Sequence, residues 1–358
     1  MSLTASRAAA TASTLALAVL VASCSDSSSS KVLSASTACF YNADPTAALS
    51  GNLSDTLSAG FTSPLRFALE QAPGNGTVSI ASDSGTYRYQ ATGSGRGDRD
   101  EFRFRVTDSD GNQTTGTVQI VNGQLRIMPV GDSITYGVTS YNASTGDLPT
   151  SGFAVGYRLP LYDMLTSNGY QVEMVGPNSS GSGAGLASTA HAGFPGWTSN
   201  QMRSGNTGDL AAGRFIDWLT DHTPDAVLLH AGSNDNNTDM ATASGVVGLL
   251  ESANSWRTSN HSLSMLVAQI IKPRADSSNA SDPVETHNQT VANYMASDAR
   301  YTTDTVVDQY AALDRNLDMT PPPGDTTGLH PNSSGYAKMA QTWYDALVSS
   351  GTVNKCGA

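Results

Sequence analysis

Three polar side chains in this chain are of the types that acyl transfer requires. An apolar run over 125–130 leads directly into Gly131-Asp132-Ser133, and a serine at the mouth of a buried strand is a candidate nucleophile. His330 precedes the last apolar-periodic segment and is a candidate base. Asn234 follows a second apolar run and offers a side-chain amide. Acyl transfer needs a nucleophile, a base within hydrogen-bond reach and donors for the developing oxyanion.

Four further residues are candidates for lining this site. Gly196 carries an amide that can approach a ligand because no Cβ stands in the way. Trp197, next to it, either stacks on a sugar or packs under its loop. His191 lies close to this segment in sequence and either lines the site or packs. Asp132 is expected to hold the nucleophile loop through hydrogen bonds and is a further candidate for substrate contact.

The elements that must position these residues follow from the apolar periodicity after residue 124. Continuous apolar runs predict buried parallel strands at 125–130, 170–175, 225–231, 263–271 and 304–308. Helical spacing separates them at 153–168, 208–221, 242–257, 285–299 and 333–350. Strands that alternate with helices predict a doubly wound three-layer α/β/α domain with a parallel sheet. The ligand site of such a sheet lies beyond the carboxyl ends of its strands, where Ser133 falls.

The preceding segment, 39–123, has a different period. Apolar and polar residues alternate at 77–80, 86–89, 101–106 and 116–120, and turn residues separate these runs. The pattern predicts a small all-β sandwich. Its Asp108-Ser109-Asp110-Gly111-Asn112 has the carboxylate spacing that begins a calcium loop, and a hairpin turn explains it equally well.

The four blocks around Ser133, Gly196, Asn234 and His330 resemble in type and order those of the SGNH, or GDSL-type, hydrolases. The segments 193–198, 232–235 and 330–336 are most similar to the acetylxylan-esterase-like branch. The resemblance implies that Ser133 is the nucleophile and His330 its base. It also implies an oxyanion hole made by the amides of Ser133 and Gly196 and by the side chain of Asn234, with no metal or organic cofactor.

One position departs from that family's pattern. The family has an aspartate three residues before the histidine, where this chain has Thr327. Asp325 is the nearest replacement if the loop bulges, and Asp308, at the end of a predicted strand, is the second candidate. A backbone carbonyl that orients the ring, leaving a Ser-His dyad, is the third possibility.

The β segment also carries a resemblance. Its residues 72–77, 85–87, 100–102 and 106–108 are similar to cadherin-like or bacterial immunoglobulin-like repeats of surface proteins. Members of that family act as spacers or as weak carbohydrate and protein binders. The resemblance therefore implies a surface role for this segment.

The N-terminal pattern indicates a targeting segment. Arg7 is followed by an apolar stretch that ends in Val21-Ala22-Ser23-Cys24, which resembles a bacterial lipobox. The resemblance implies a lipid anchor on Cys24; an ordinary secretory peptide is the alternative. The predicted organisation is a signal peptide (1–23), a Ser-rich tether (24–38), the β-sandwich (39–123) and the hydrolase domain (124–358). Export permits Cys39 and Cys356 to pair, although their distance is not set by the sequence.

Composition limits the partners. The chain has 31 acidic and 19 basic residues and a formal net charge of −12, which argues against a nucleic-acid partner. The polar segments 139–152 and 177–190 favour a small acyl group on a polar carrier, such as an acetylated polysaccharide. The alternatives are a short-chain arylesterase or lysophospholipase and, in another class, a non-catalytic surface glycan-binding or adhesion lipoprotein. The oligomeric state is not indicated.

Overall fold

The computed structural model describes residues 33–92, 96–140, 151–258, 262–321 and 324–356. The predicted signal peptide and Cys24 lie outside these ranges, as does most of the segment 139–152. Residues from Leu33 to the C-terminus form one compact unit. No helix in the described ranges is long and apolar enough to cross a membrane.

The β-sandwich occupies the N-terminal part of this unit. Its strands are β1 (Ala38–Asn42), β2 (Leu49–Asn52), β3 (Arg66–Gln71), β4 (Gly76–Ile80), β5 (Thr86–Ala91), β6 (Asp98–Thr107) and β7 (Gln113–Asn122). One sheet has the order β1-β7-β6-β3 and the other β2-β5-β4. Every pair is antiparallel except β1 with β7, which is parallel.

The alternating pattern explains this packing. In β6 the side chains of Phe102, Phe104 and Val106 are fully buried while the residues between them face solvent. The segment 108–112 forms the turn between β6 and β7, and the Asp108 carboxylate accepts hydrogen bonds from the backbone of Asp110 and Asn112. This segment is therefore a hairpin turn, in agreement with the second of the two interpretations of its sequence.

The second domain is built on a mixed sheet of mostly parallel strands. These are β8 (Leu125–Gly131), β9 (Val172–Met174), β10 (Asn178–Ser179), β11 (Ala190–Gly193), β12 (Ala226–His230), β13 (Ser264–Gln269) and β14 (Thr305–Asp308). The order is β10-β11-β8-β12-β13-β14, and β9 pairs with the start of β8. Among the described strands of this sheet, only the β10–β11 pair is antiparallel. Separate apolar clusters form the domain's core, and every residue of β12 is buried.

Helices connect these strands. They are α1 (Ser133–Tyr136), α2 (Arg158–Ser167), α3 (Ser199–Ser204), α4 (Phe215–His222), α5 (Asn237–Thr242), α6 (Ser244–Arg257), α7 (Val284–Ala296), α8 (Gln309–Ala312) and α9 (Ser333–Ser349). The helix expected over 242–257 begins at Ser244, because Ala243 takes a left-handed conformation with φ of 50° and separates α5 from α6. Strands β10 and β11 were not expected, since they lie in segments rich in glycine, serine and alanine.

The two domains are joined at both ends of the hydrolase domain. Only Gly123 and Gln124 separate β7 from β8. A disulfide joins Cys39 in β1 to Cys356 after α9, with the two Cα atoms 5.3 Å apart. Near it, the side-chain amide of Asn354 donates to the carbonyl of Gly97. The pairing that the sequence permits is therefore present.

Candidate active site

The strand register brings the predicted site loops to one edge of the sheet. Gly131 at the end of β8 lies opposite both Gly193 in β11 and His230 in β12. Ser133, Gly196 and Asn234 follow these three positions by two to four residues. Because the strands are parallel, all three loops leave the sheet at its carboxyl edge.

Gly131 is required by the tightness of this edge. A Cβ at this position would collide with the carbonyl oxygen of His230 and with the hydroxyl of Thr135. The chain then turns into α1, whose N-cap Asp132 accepts a hydrogen bond from the amide of Ile134 at 2.9 Å. Ser133 is therefore the first residue of a helix that begins directly at the strand end.

Ser133 and His330 are hydrogen-bonded. His330 Nε2 lies 2.9 Å from Ser133 Oγ, and the two side chains come from positions 197 residues apart. His330 is only 4% exposed and Ser133 9%. The loop that carries His330 is fixed by the amide of Thr320, which donates to the His330 carbonyl, and by α9, which begins three residues later.

The other ring nitrogen contacts Asp325. Asp325 Oδ2 accepts the backbone N–H of His330 at 2.9 Å and lies 3.1 Å from Nδ1. A carboxylate there selects the tautomer with the proton on Nδ1, in which Nε2 carries no proton and can accept that of Ser133. The carboxylate of Asp308 instead caps α8 by accepting from Ala311.

Thr327, at the position where the family has aspartate, supports the acid. Its backbone N–H and its hydroxyl both donate to Asp325 Oδ1, at 2.9 and 2.7 Å. Burial alone would raise the pKa of Asp325, but the hydrogen bonds from His330 and Thr327 outweigh it and lower the pKa to about 2. The threonine thus holds the bulged loop that brings Asp325 to the ring.

The loops that carry Gly196 and Asn234 are bonded to each other. Asn234 Nδ2 donates one proton to the carbonyl of Trp197 at 3.1 Å, and an amide group has a second proton to offer. Gly196 is exposed, has φ of 77°, and has open space where a Cβ would stand. A left-handed backbone of this kind favours glycine.

Three expected lining residues are buried instead. Trp197 is 7% exposed and stacks on Phe194, with ring centroids 4.3 Å apart, so the structure favours its packing interpretation. His191 is fully buried, with Nε2 bonded to Ser180 and Nδ1 accepting the amide of Gly193. Burial and the nearby Arg158 lower the pKa of His191 well below its ordinary value, which keeps the ring neutral. Its expected substrate contact is wrong because the side chain has no exposed surface.

Asp132 is the third of these residues. It is fully buried, so the expectation of substrate contact is wrong for it too, whereas its bond to Ile134 is the loop-holding contact that the sequence suggested. Its Oδ2 has no hydrogen-bond partner among the described residues. Burial raises the pKa of Asp132 to about 6, against the opposing effects of the Ile134 amide and His330.

Arg158, in α2, is a residue that sequence reasoning missed. Its guanidinium is fully buried and donates to the carbonyls of Thr135 and Tyr136 in α1, at 2.9 Å each, and of Ala154 at 2.7 Å. It therefore fixes the far end of the nucleophile helix. An arginine in an otherwise apolar helical stripe was the available signal, because a buried charge must be satisfied by several partners.

The comparisons with known proteins agree with this architecture. Residues 130–338 match the model of the GDSL-like lipase/acylhydrolase family. The chain belongs to this family. Residues 28–121 match the bacterial Ig domain. The expected fold class and the expected immunoglobulin-like β domain are confirmed, and membership of an acylhydrolase family supports the expected class of carboxylic ester hydrolase.

Similar proteins were found by sequence and by structure. A multidomain esterase of Ruminococcus flavefaciens is 28% identical over 241 residues, which are 63% of this chain and 28% of that protein. This chain thus matches less than a third of that relative. An acetyl esterase mutant crystallised with an acetate ion is 18% identical, with a TM-score of 0.46 over 63% of this chain and 97% of that one. A GDSL-like lipase from Bacteroides thetaiotaomicron is 17% identical, with a TM-score of 0.37 over 63% of this chain and 88% of that one.

Proposed function

We propose that this protein is a serine esterase that removes short acyl groups, acetyl above all, from a carbohydrate. One observation carries the catalytic part: the continuous hydrogen-bonded series from Asp325 through His330 to Ser133. Nucleophile, base and orienting acid stand in the order that acyl transfer requires. The bond between Thr327 and Asp325 removes the one feature that favoured a non-catalytic adhesion protein.

The reaction follows from these contacts. His330 Nε2 takes the proton of Ser133 as Oγ bonds to the ester carbonyl carbon and the carbonyl π electrons move onto its oxygen. When the tetrahedral intermediate collapses, the ester C–O bond breaks and His330 returns the proton to the departing alcohol. Water then attacks the acyl-enzyme with His330 again as base, which releases the acid and restores Ser133.

The developing oxyanion is held by three donors in this proposal. They are the backbone N–H groups of Ser133 and Gly196 and the second proton of Asn234 Nδ2. Each donor of this kind contributes about 10²–10³ in rate. The support is topological, since the three loops leave neighbouring strands at matching positions.

The preference for a small acyl group is supported by a narrow cavity. Its volume is about 10 Å³, roughly the space of one water molecule. Ile134, Ser233 and Leu329 line it, and these residues are the direct neighbours in sequence of Ser133, Asn234 and His330. Ile270 and Ile271, directly after the end of β13, also line it. This cavity beside the site loops has no room for a long acyl chain.

The carbohydrate carrier and the cellular location rest on the sequence. The blocks around Gly196 and His330 resemble acetylxylan-esterase-like enzymes, and the lipobox-like Val21-Ala22-Ser23-Cys24 favours export and a lipid anchor. Membrane-associated protein that becomes soluble in Cys24→Ala is the expected result. Unchanged membrane partition of that variant would contradict the anchor.

The function is tested by turnover of p-nitrophenyl acetate by the protein and by its Ser133→Ala variant. We expect the variant to lose at least about 10³-fold in kcat, because no other described group replaces the nucleophile. Equal rates would exclude the esterase. An acyl series from acetate to palmitate, with acetate release from acetylated xylan, separates the alternatives. Preference for palmitate would favour a lysophospholipase, and rapid aryl acetate turnover without release from xylan would favour an arylesterase.

A further inference from the structure

The oxyanion hole proposed above depends on two loops that leave different strands. The loop after β11 carries Gly196 and the loop after β12 carries Asn234. A donor in an oxyanion hole loses most of its effect when it is displaced by a few tenths of an ångström to an ångström. Something must therefore hold the two loops at a fixed spacing.

Asp235 supplies that connection. Its Oδ1 accepts the backbone N–H of Ser199 at 2.7 Å, and its Oδ2 accepts a short hydrogen bond from the Ser199 hydroxyl. Asp235 is 7% exposed and Ser199 is fully buried, so water competes little for these bonds. The carboxylate thus makes two charge-assisted hydrogen bonds to the first residue of α3, where the opposite loop ends.

Ser199 itself is held in place from two sides. Thr198 and Gln201 form a capping box at the start of α3, which leaves the Ser199 hydroxyl for Asp235. Behind it, α6 approaches so closely that a Cβ at Gly245 would collide with Ser199 Oγ. Asp235 is therefore bonded to a rigid point of the structure and not to a mobile loop.

The bonds form two adjacent cross-links. Asn234 contacts Trp197, and the next residue, Asp235, contacts Ser199, two positions further along the same opposite loop. The turn that carries both is closed by the amide of Asp235, which donates to the carbonyl of Gly232. The turn thus links the position of Asp235 to that of the neighbouring Asn234 amide.

We propose that Asp235 is a positioning residue of this reaction, which sets the orientation of the Asn234 amide toward the oxyanion. The inference rests on the proposed esterase function. It differs from a purely structural role, in which Asp235 would only stabilise the start of α3. A positioning residue changes kcat through Asn234, whereas a structural one changes the melting temperature alone.

The test compares Asp235→Asn, Asn234→Ala and the double variant with p-nitrophenyl acetate. We expect Asp235→Asn to lower kcat about 10–100-fold with KM within about threefold, because a misdirected donor loses part of its 10²–10³ effect. The double variant should be within about threefold of Asn234→Ala, since Asp235 acts through that side chain. A kcat for Asp235→Asn within twofold of the parent, or losses that multiply in the double variant, would overturn the proposal.

Two further variants keep the result decisive. Ser199→Ala removes only one of the two bonds to Asp235 and should lower kcat about three- to tenfold. This variant tests the link even if Asp235→Asn does not fold. An unchanged kcat in a folded Ser199→Ala variant would count against the proposal. Asp304→Asn is the matched control, because Asp304 is a buried carboxylate that binds Arg257 and the amide of Met265 away from this loop. It should lower the melting temperature and leave kcat unchanged.

Failure of the esterase proposal is recognisable separately. If Ser133→Ala is as active as the parent, the proposed function fails. If Ser133→Ala is inactive and Asp235→Asn has the parent kcat, only the role of Asp235 fails.

Discussion

Each domain buries an aspartate whose carboxylate accepts four hydrogen bonds, but only one of these two aspartates belongs to the candidate active site. Asp100 in the β-sandwich accepts from the amides of Gly74, Asn75 and Glu101 and from the hydroxyl of Tyr89. Asp325 in the hydrolase domain accepts from the amide and hydroxyl of Thr327 and from the amide and ring of His330. Their exposed fractions are 5% and 0%.

The difference lies in where the bonds lead. The partners of Asp100 are backbone amides and a tyrosine inside an antiparallel sandwich, so its hydrogen bonds only close a loop over the sheet. Asp325 bonds a ring whose other nitrogen contacts Ser133, at the edge where parallel strands deliver their loops. A full set of hydrogen bonds to a buried carboxylate is therefore weak evidence for a catalytic role. A position at the carboxyl edge of the parallel sheet is stronger evidence.

Asp325→Asn should have the largest effect. The amide no longer stabilises the imidazolium and disturbs the ring tautomer, so we expect kcat to fall about 10²–10⁴-fold with p-nitrophenyl acetate. Asp308→Asn is the control and should retain the parent kcat, since its carboxylate only caps α8. A larger loss in Asp308→Asn would move the acid to the end of β14.

Removal of the disulfide tests how much the covalent link between Cys39 and Cys356 stabilises the protein. A double Cys39→Ser, Cys356→Ser variant should lose about 3–5 kcal/mol of unfolding free energy, because the bond closes a loop of 317 residues. Urea unfolding followed by circular dichroism measures the loss. We expect the parent kcat at 25 °C, since neither cysteine is near Ser133 in the fold, and a reductant should have no effect on the double variant.

Asp100→Asn is the counterpart of Asp325→Asn in the β domain. One carboxylate oxygen becomes a donor that faces other donors, so we expect a loss of about 2–3 kcal/mol in unfolding free energy. The kcat should stay within twofold of the parent. A tenfold loss of kcat in a folded Asp100→Asn variant would break the contrast between the two carboxylates.

Asp132 differs from both Asp100 and Asp325, because it is buried while its Oδ2 has no hydrogen-bond partner among the described residues. Its pKa is raised to about 6, so its contribution to stability is present below about pH 4 and is lost as the pH rises through 6. Asp132→Asn keeps an acceptor for Ile134 and carries no charge. From pH 4.5 to pH 7.5, we expect the unfolding free energy of the variant to rise relative to that of the parent by on the order of 2 kcal/mol. Urea unfolding at each pH measures this difference. A stability difference that does not change with pH would contradict the buried charge.

Much of the architecture was accessible before the structure because it rests on local periodicity. The continuous apolar runs at 125–130, 225–231 and 263–271 correspond to β8, β12 and β13, since strands buried on both faces need no polar alternation. The strand β11 was missed, because its three small residues around His191 carry no such signal. The break between α5 and α6 was missed as well, since alanine at Ala243 gives no hint of a left-handed backbone.

The sequence by itself placed Ser133 and Asn234 at the carboxyl ends of buried strands, and the resemblance of four blocks added Gly196 and His330 to the candidates. Only the tertiary structure decided that Asp325 contacts the ring, because that depends on a loop bulge held by Thr327. It also decided that Trp197 and His191 are buried. The physical reason is that strand and helix patterns are set by neighbours in sequence, whereas burial and hydrogen-bond partners depend on distant segments, which for Ser133 and His330 are 197 residues apart.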